Sequence, residues 1–147
     1  LEDCLLATET DMTIFFRKLA AFKKDASVDG WNLIEDALYD LENTSEAVKT
    51  QWKQWFEAYA ARLQQDQQND EARNKRMNAT NPKYVLRNYM AQLAIDAAEK
   101  GDFSLIDELY QVLKKPYDNQ PEYEKWFAKR PEWARDKVGC SMLSCSS

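Results

Sequence analysis

Apolar residues recur at helical spacing through most of the chain, and the clearest run lies between Asn81-Pro82 and Gly101. Its apolar positions follow the i, i+3, i+4 pattern of one helix face, at Leu86, Tyr89, Met90, Leu93 and Ala97. Asn81 suits an N-cap, Pro82 suits the first helical position, and Gly101 suits the residue that follows a helix end. Small and apolar residues also cover the flank of this helix, so only a narrow polar strip remains. The pattern predicts a helix at about 82–99 that is packed on more than one side.

Similar periodicity predicts further helices, or pairs of short helices, in the regions 5–24, 31–43, 46–63, 70–78, 104–113 and 121–127. Asp11 is a candidate N-cap for the first region, and Thr44 or Ser45 for the long third one. No succession of strands is indicated. The predicted fold class is therefore all-α, with roughly six or seven helices packed around the 82–99 helix. We expect one domain over residues 1–147, ending in a flexible Cys/Ser tail at 139–147.

Aromatic residues form a stripe on the helix predicted at 46–63, at Trp52, Trp55, Phe56 and Tyr59. Such a stripe could line a groove for a protein partner or could pack inside the domain. Core packing is favoured, because large aromatic side chains are mostly buried.

Composition excludes several classes of function. The net charge of −5 argues against a nucleic-acid surface. The chain has no histidine, so it cannot build a His-based metal site or a Ser-His-Asp triad. Its three glycines, at 30, 101 and 139, are too scattered for a phosphate-binding loop. We therefore expect no catalytic residue, no metal site and no bound cofactor in this chain. Three cysteines and the absence of a long apolar run favour a cytoplasmic protein with no membrane contact.

Two groups of residues are candidates for chemistry. Lys83 and Arg87 lie four apart next to Asn81, which places them on one side of the predicted helix. They could bind an anion such as phosphate, but ion pairs with acidic residues of a neighbouring helix are favoured. We expect Arg87 to be partly buried and paired with a carboxylate. The second group is the thiols of Cys140 and Cys145 in the tail, of which Cys140 is the weaker redox candidate.

Several sequence segments resemble the C-terminal region of the SelO family. They are Asn-Pro-Lys-Tyr-Val-Leu-Arg-Asn-Tyr at 81–89, Ala-Glu-Lys-Gly-Asp at 98–102, Lys-Pro-Tyr at 115–117 and the final Cys-Ser-Ser. The SelO family consists of kinase-like pseudokinases that act as protein adenylyltransferases. The resemblance is specific from about Met77 onward and looser before it. Since the first residue is Leu, the chain is expected to be a fragment of a longer protein.

The resemblance implies that the parent protein uses ATP and Mg²⁺ to move AMP onto Ser, Thr or Tyr hydroxyls of protein substrates. The kinase-like domain with its ATP- and metal-binding residues would lie upstream of Leu1, so this chain would support that domain without catalysis of its own. Cys145 occupies the place that selenocysteine takes in selenium-containing members, which suggests a bacterial-type protein with a redox-active tail. A eukaryotic parent would be mitochondrial.

A free-standing helical module that binds a protein partner is the alternative. Under this hypothesis the aromatic residues would serve the partner and no enzyme would be involved. The coding sequence upstream of Leu1 separates the two hypotheses, because only the first requires a kinase-like domain there.

Overall fold

The structure, a computed structural model, describes residues 1–138 and 140. Across this part of the chain it contains helices and no sheet, which confirms the all-α class; its only strand-like pairing is an isolated bridge between Thr10 and Leu38. The chain divides into two compact units, Leu1–Asn81 and the residues from Pro82 onward. The α-helices are α1 (Glu2–Ala7), α2 (Met12–Leu19), α3 (Gly30–Ile34), α4 (Glu46–Gln64), α5 (Asp70–Thr80), α6 (Asn88–Ala98) and α7 (Ser104–Leu113). Short 3-10 helices span Glu35–Ala37, Pro121–Trp126 and Glu132–Ala134.

Side-chain caps set the helix starts in the first unit. Each of α2, α3, α4 and α5 is preceded by a residue whose side-chain oxygen accepts a backbone N–H of the first turn; these residues are Asp11, Asp29, Ser45 and Asn69. Asp11 and Ser45 were candidate caps on sequence grounds, and both are confirmed. The region 38–43, predicted to be helical, is not. Leu38 is extended, and the Tyr39 backbone N–H donates to the Glu9 carbonyl at 2.9 Å, which replaces the helical bonding expected there.

The aromatic stripe of α4 is the core of the first unit. Trp52 and Phe56 are almost completely buried. Phe15 of α2 lies 5.5 Å from Trp52 and Phe22 lies 5.2 Å from Phe56, measured between ring centroids. Core packing is therefore the role of these two residues, as the sequence favoured, and they are not available to a partner.

The turn after α2 is held by polar side chains of α5. Arg73 donates to the Phe22 carbonyl and also pairs with Asp70 at 2.7 Å. Asn74 donates to the Ala20 carbonyl at 2.9 Å. Arg73 is 3% exposed and is the only buried residue of α5, so polar contacts fix this largely polar helix within the first unit.

The second unit is built on a hairpin of α6 and α7. The α6 helix begins at Asn88 and not at Pro82, so the predicted start at Asn81-Pro82 is wrong by almost two turns. The helix does end near the predicted place, and Gly101 follows it with φ +84°, a conformation that favours glycine. Its buried residues, Tyr89, Met90 and Ala94, pack with Leu109 and Val112 of α7 in a single core.

Two polar side chains fix the segment that follows α7. Gln120 donates to the Val112 and Lys115 carbonyls at 3.0 and 2.9 Å and so caps the end of α7. Glu108 accepts bonds from Trp126 at 2.5 Å and from Lys125 at 2.6 Å. Partial burial alone would raise the pKa of Glu108, but the bonds from Lys125 and Trp126 outweigh it and leave the pKa below its ordinary value. The 3-10 helix at Pro121–Trp126 is therefore tied to α7 at both ends.

Candidate functional site

The residues 82–87, which we call the entry segment, are not helical and lead into α6. The Lys83 and Tyr84 backbone N–H groups both donate to the Pro116 carbonyl, at 2.7 and 3.1 Å. The Tyr84 hydroxyl donates to the Gln120 carbonyl at 2.9 Å. The entry segment thus obtains its hydrogen bonds from the chain that follows α7 and not from helical turns.

Lys83 is a buried, neutralised cation. Its ammonium lies 2.6 Å from Glu124 Oε2, and the rings of Phe127 and Tyr84 lie 5.1 and 5.5 Å away. The Lys83 side chain is 10% exposed, whereas the Glu124 side chain is 57% exposed. A phosphate could reach this ammonium only by displacing Glu124, so the geometry favours the ion pair over anion binding.

Arg87 and Asn81 each end or begin a helix, unlike Lys83. Arg87 is buried, as expected, but it is the N-cap of α6 and its backbone is extended. Lys83 and Arg87 are therefore not on one helical face, contrary to the prediction, because residues 82–87 are not helical. Asn81 belongs to the first unit, where it ends α5: its side chain donates to the Met77 carbonyl at 3.0 Å, and its own carbonyl accepts from Arg17 at 3.0 Å.

Of the two cysteines predicted as redox candidates, Cys140 lies among the described residues and Cys145 does not. Cys140 is 1% exposed, within the core of the second unit, and its carbonyl accepts a bond from Asn88 at 3.2 Å. Its burial leaves the thiol with almost no surface that an oxidant or a second thiol could reach in this conformation. Cys145, Gly139 and the rest of the predicted tail at 141–147 lie outside the described residues. The remaining cysteine, Cys4, is buried in α1, and this burial raises the pKa of its thiol.

An exposed apolar surface on α7 was not singled out from the sequence. Phe103, Ile106 and Tyr110 are 60%, 45% and 61% exposed. Their spacing of three and four residues puts them on one side of the helix, and we call this surface the α7 face. Leu105, Leu109, Val112 and Leu113 turn toward the core. The sequence does contain a sign of this surface. Apolar residues occupy more of the circumference of α7 than the single face that packs against the core.

Among the described residues, no group of three or more His, Cys, Asp or Glu side chains is arranged to hold a metal ion. Within the same part of the chain, no helix has both the length and the apolar character needed to cross a membrane.

Comparison with known proteins identifies the family. The family described as protein adenylyltransferase SelO matches residues 1–114 of this chain. This chain belongs to the SelO family. A protein nucleotidyltransferase YdiU of Flavobacterium johnsoniae is 60% identical to it over 148 residues, which cover 100% of this chain and 28% of that protein.

Two other SelO-family relatives give the same result. Proteins also named protein nucleotidyltransferase YdiU, from Aromatoleum aromaticum and Rhodopirellula baltica, are 49% and 47% identical over 97% of this chain, which corresponds to 27% and 28% of their lengths. The chain therefore spans between a quarter and a third of the length of the curated SelO relatives that it matches. The resemblance predicted from the 81–89 and 98–102 segments is confirmed at the level of the family.

Proposed function

We propose that this chain is the C-terminal helical part of a SelO-type protein adenylyltransferase and that it supports an upstream kinase-like domain of the same protein. The observation that carries the proposal is the match to the SelO family across the chain, at 60% identity to a relative named as a protein nucleotidyltransferase. In the parent protein, ATP and Mg²⁺ bind to the kinase-like domain, and AMP is transferred to Ser, Thr or Tyr of protein substrates. The buried polar contacts of Lys83 and Arg73 suit a supporting role, since they organise the fold around a core and not around a reactant.

The first expected result concerns nucleotide binding. The 147-residue chain should bind neither ATP nor Mg²⁺, because it has no glycine-rich loop and its described residues form no metal-ligand group. The full-length protein should bind Mg-ATP and transfer labelled AMP to a protein substrate. Isothermal titration calorimetry with Mg-ATP on both proteins, and autoradiography of the transfer reaction, measure these properties. Micromolar binding by the 147-residue chain, or a full-length protein that transfers no AMP, would contradict the proposal.

The second expected result concerns the tail. We propose that Cys145 forms a disulfide with a cysteine of the kinase-like domain, so that oxidation reduces AMP transfer by restricting motion near the active site. An oxidant accepts the two electrons and two protons that the thiols lose. Full-length protein carrying Cys145→Ser should be equally active with and without dithiothreitol, whereas the parent should be activated by the reductant. Cys140→Ser is the matched control, and it should keep the parent's dependence on reductant; loss of that dependence in the control alone would assign the latch to Cys140.

A further inference from the structure

Exposed apolar side chains are concentrated in the second unit. Among the described residues, the large hydrophobic side chains that remain exposed there are Leu86, Ile95, Phe103, Ile106, Tyr110, Tyr117, Trp133 and Val138, whereas the longer first unit exposes only Leu1, Leu6 and Met12. Single exposed apolar side chains are ordinary on a protein surface. Three large exposed apolar side chains next to one another on one side of a helix form a patch, and a patch is a feature of interaction surfaces. The α7 face, formed by Phe103, Ile106 and Tyr110, is the part of the second unit that most resembles an uncovered interface.

The charges along this face are separated by sign: the exposed Asp102 and Asp107 lie toward its N-terminal end, and the exposed Lys114 and Lys115 lie at its C-terminal end. At the C-terminal end of α7 the Lys114 ammonium lies 5.4 Å from the centre of the Tyr110 ring. Neither Lys114 nor the exposed Lys115 has a carboxylate partner within the part of the chain that the structure describes. Both also lie where the helix dipole already favours cations, so they need no further compensation to be stable there. Two solvated cations next to an apolar strip are complementary to a surface that carries carboxylates beside apolar side chains.

Most of the length of the named relatives lies outside the region that this chain covers, since the chain spans 28% of the Flavobacterium johnsoniae protein. A large amount of chain is therefore available within the same molecule to cover an apolar strip. Covering it within one molecule avoids the loss of translational freedom that a separate partner would incur.

We propose that the α7 face docks against the remainder of the full-length protein, on a surface where carboxylates face Lys114 and Lys115 and apolar side chains face Phe103, Ile106 and Tyr110. This inference rests on the proposed function only in requiring a longer parent protein. It identifies which surface of the chain supports the rest of the transferase.

Hydroxyl-radical labelling read by mass spectrometry tests the proposal, with Tyr110 as the reporter. In the 147-residue chain Tyr110 should be modified readily at every protein concentration, and in the full-length protein this modification should be lost. Tyr110 that labels equally well in the full-length protein would overturn the proposal. Protection of Tyr110 that grows with concentration in the 147-residue chain would also overturn it, because a second copy would then be the occupant.

Two variants sharpen the test. In the full-length protein, Ile106→Glu should restore labelling of Tyr110, because it places a charge in a closed apolar contact. Gln111→Glu adds the same charge on the exposed flank of α7 and should leave Tyr110 protected. In the 147-residue chain both variants should melt within about 2 °C of the parent, as is usual for exposed positions. Restored labelling in both variants, or in neither, would overturn the proposal.

Charge is tested separately by Lys114→Glu, which should also restore Tyr110 labelling in the full-length protein. Lys53→Glu, the same change at an exposed position of α4, should leave Tyr110 protected.

Transfer of labelled AMP by the parent protein is measured in parallel. A protein that protects Tyr110 but transfers no AMP supports the docking surface and refutes the proposed function, so the two failures can be distinguished.

Discussion

Gly30→Ala should lower the free energy of unfolding of the first unit by roughly 3 kcal/mol, the upper part of the range for overpacking a core. Gly30 is the buried first residue of α3, and the side chain nearest to the position of a Cβ on it is the ring of Phe56. A Cβ at this position would lie closer than 3.0 Å to ring atoms of Phe56. The Phe56 ring packs against the rings of Phe22, Trp52 and Trp55, so a shift that made room for the Cβ would disturb these core contacts. Urea unfolding followed by tryptophan fluorescence measures the change.

Gly101→Ala is the matched control, because the two glycines are required for different reasons. A Cβ at Gly101 would meet nothing within 4 Å, and only the left-handed backbone at φ +84° opposes it. The expected cost is about 1 kcal/mol. Phe56→Leu should partly rescue Gly30→Ala, so the double variant should lose less stability than the sum of the single variants. Equal costs at the two glycines, or additive effects with Phe56→Leu, would show that the contact with the ring is not the cause.

The sequence was sufficient to predict structure where the decisive interactions are local. Asp11 and Ser45 cap the helices that follow them, and each does so through a bond to a backbone N–H three residues later. The burial of Trp52 and Phe56 also followed from their spacing along α4. These features depend on neighbours within one or two helical turns, and such neighbours are visible in the sequence.

The start of α6 could not be predicted in the same way. Pro82 restricts Asn81 to an extended conformation, as expected, but that restriction is equally compatible with a helix that ends before Asn81. The choice is made by distant residues: Pro116 accepts the backbone N–H groups of Lys83 and Tyr84, and Gln120 accepts the Tyr84 hydroxyl. Contacts between residues more than thirty positions apart leave no periodic pattern in the sequence. The same error explains why the prediction for Lys83 and Arg87 is wrong. These two residues share a helix face only if residues 82–87 are helical.

Arg73→Ala should lower the free energy of unfolding of the first unit by about 3 kcal/mol, as expected when one partner of a buried polar contact is removed. Arg73 is 3% exposed and donates both to Asp70 and to the Phe22 carbonyl. The truncation removes the donor on which the Phe22 carbonyl depends and leaves a cavity under α5. Chemical denaturation with fluorescence detection is again the measurement, and increased hydrogen exchange of the turn at residues 20–24 should accompany the loss.

Two further variants separate the polar contribution of Arg73 from its volume. Arg76→Ala removes an exposed arginine from the same helix and should cost less than about 0.5 kcal/mol, the usual range for a surface position. Arg73→Met keeps most of the buried volume but donates no hydrogen bond, so its cost should approach that of Arg73→Ala if the polar contacts dominate. A cost for Arg73→Met close to that of Arg76→Ala would mean that packing alone holds α5 in place. The bonds from Arg73 to Asp70 and to the Phe22 carbonyl favour the polar explanation, because the carbonyl contact is buried and the carboxylate shares the same guanidinium.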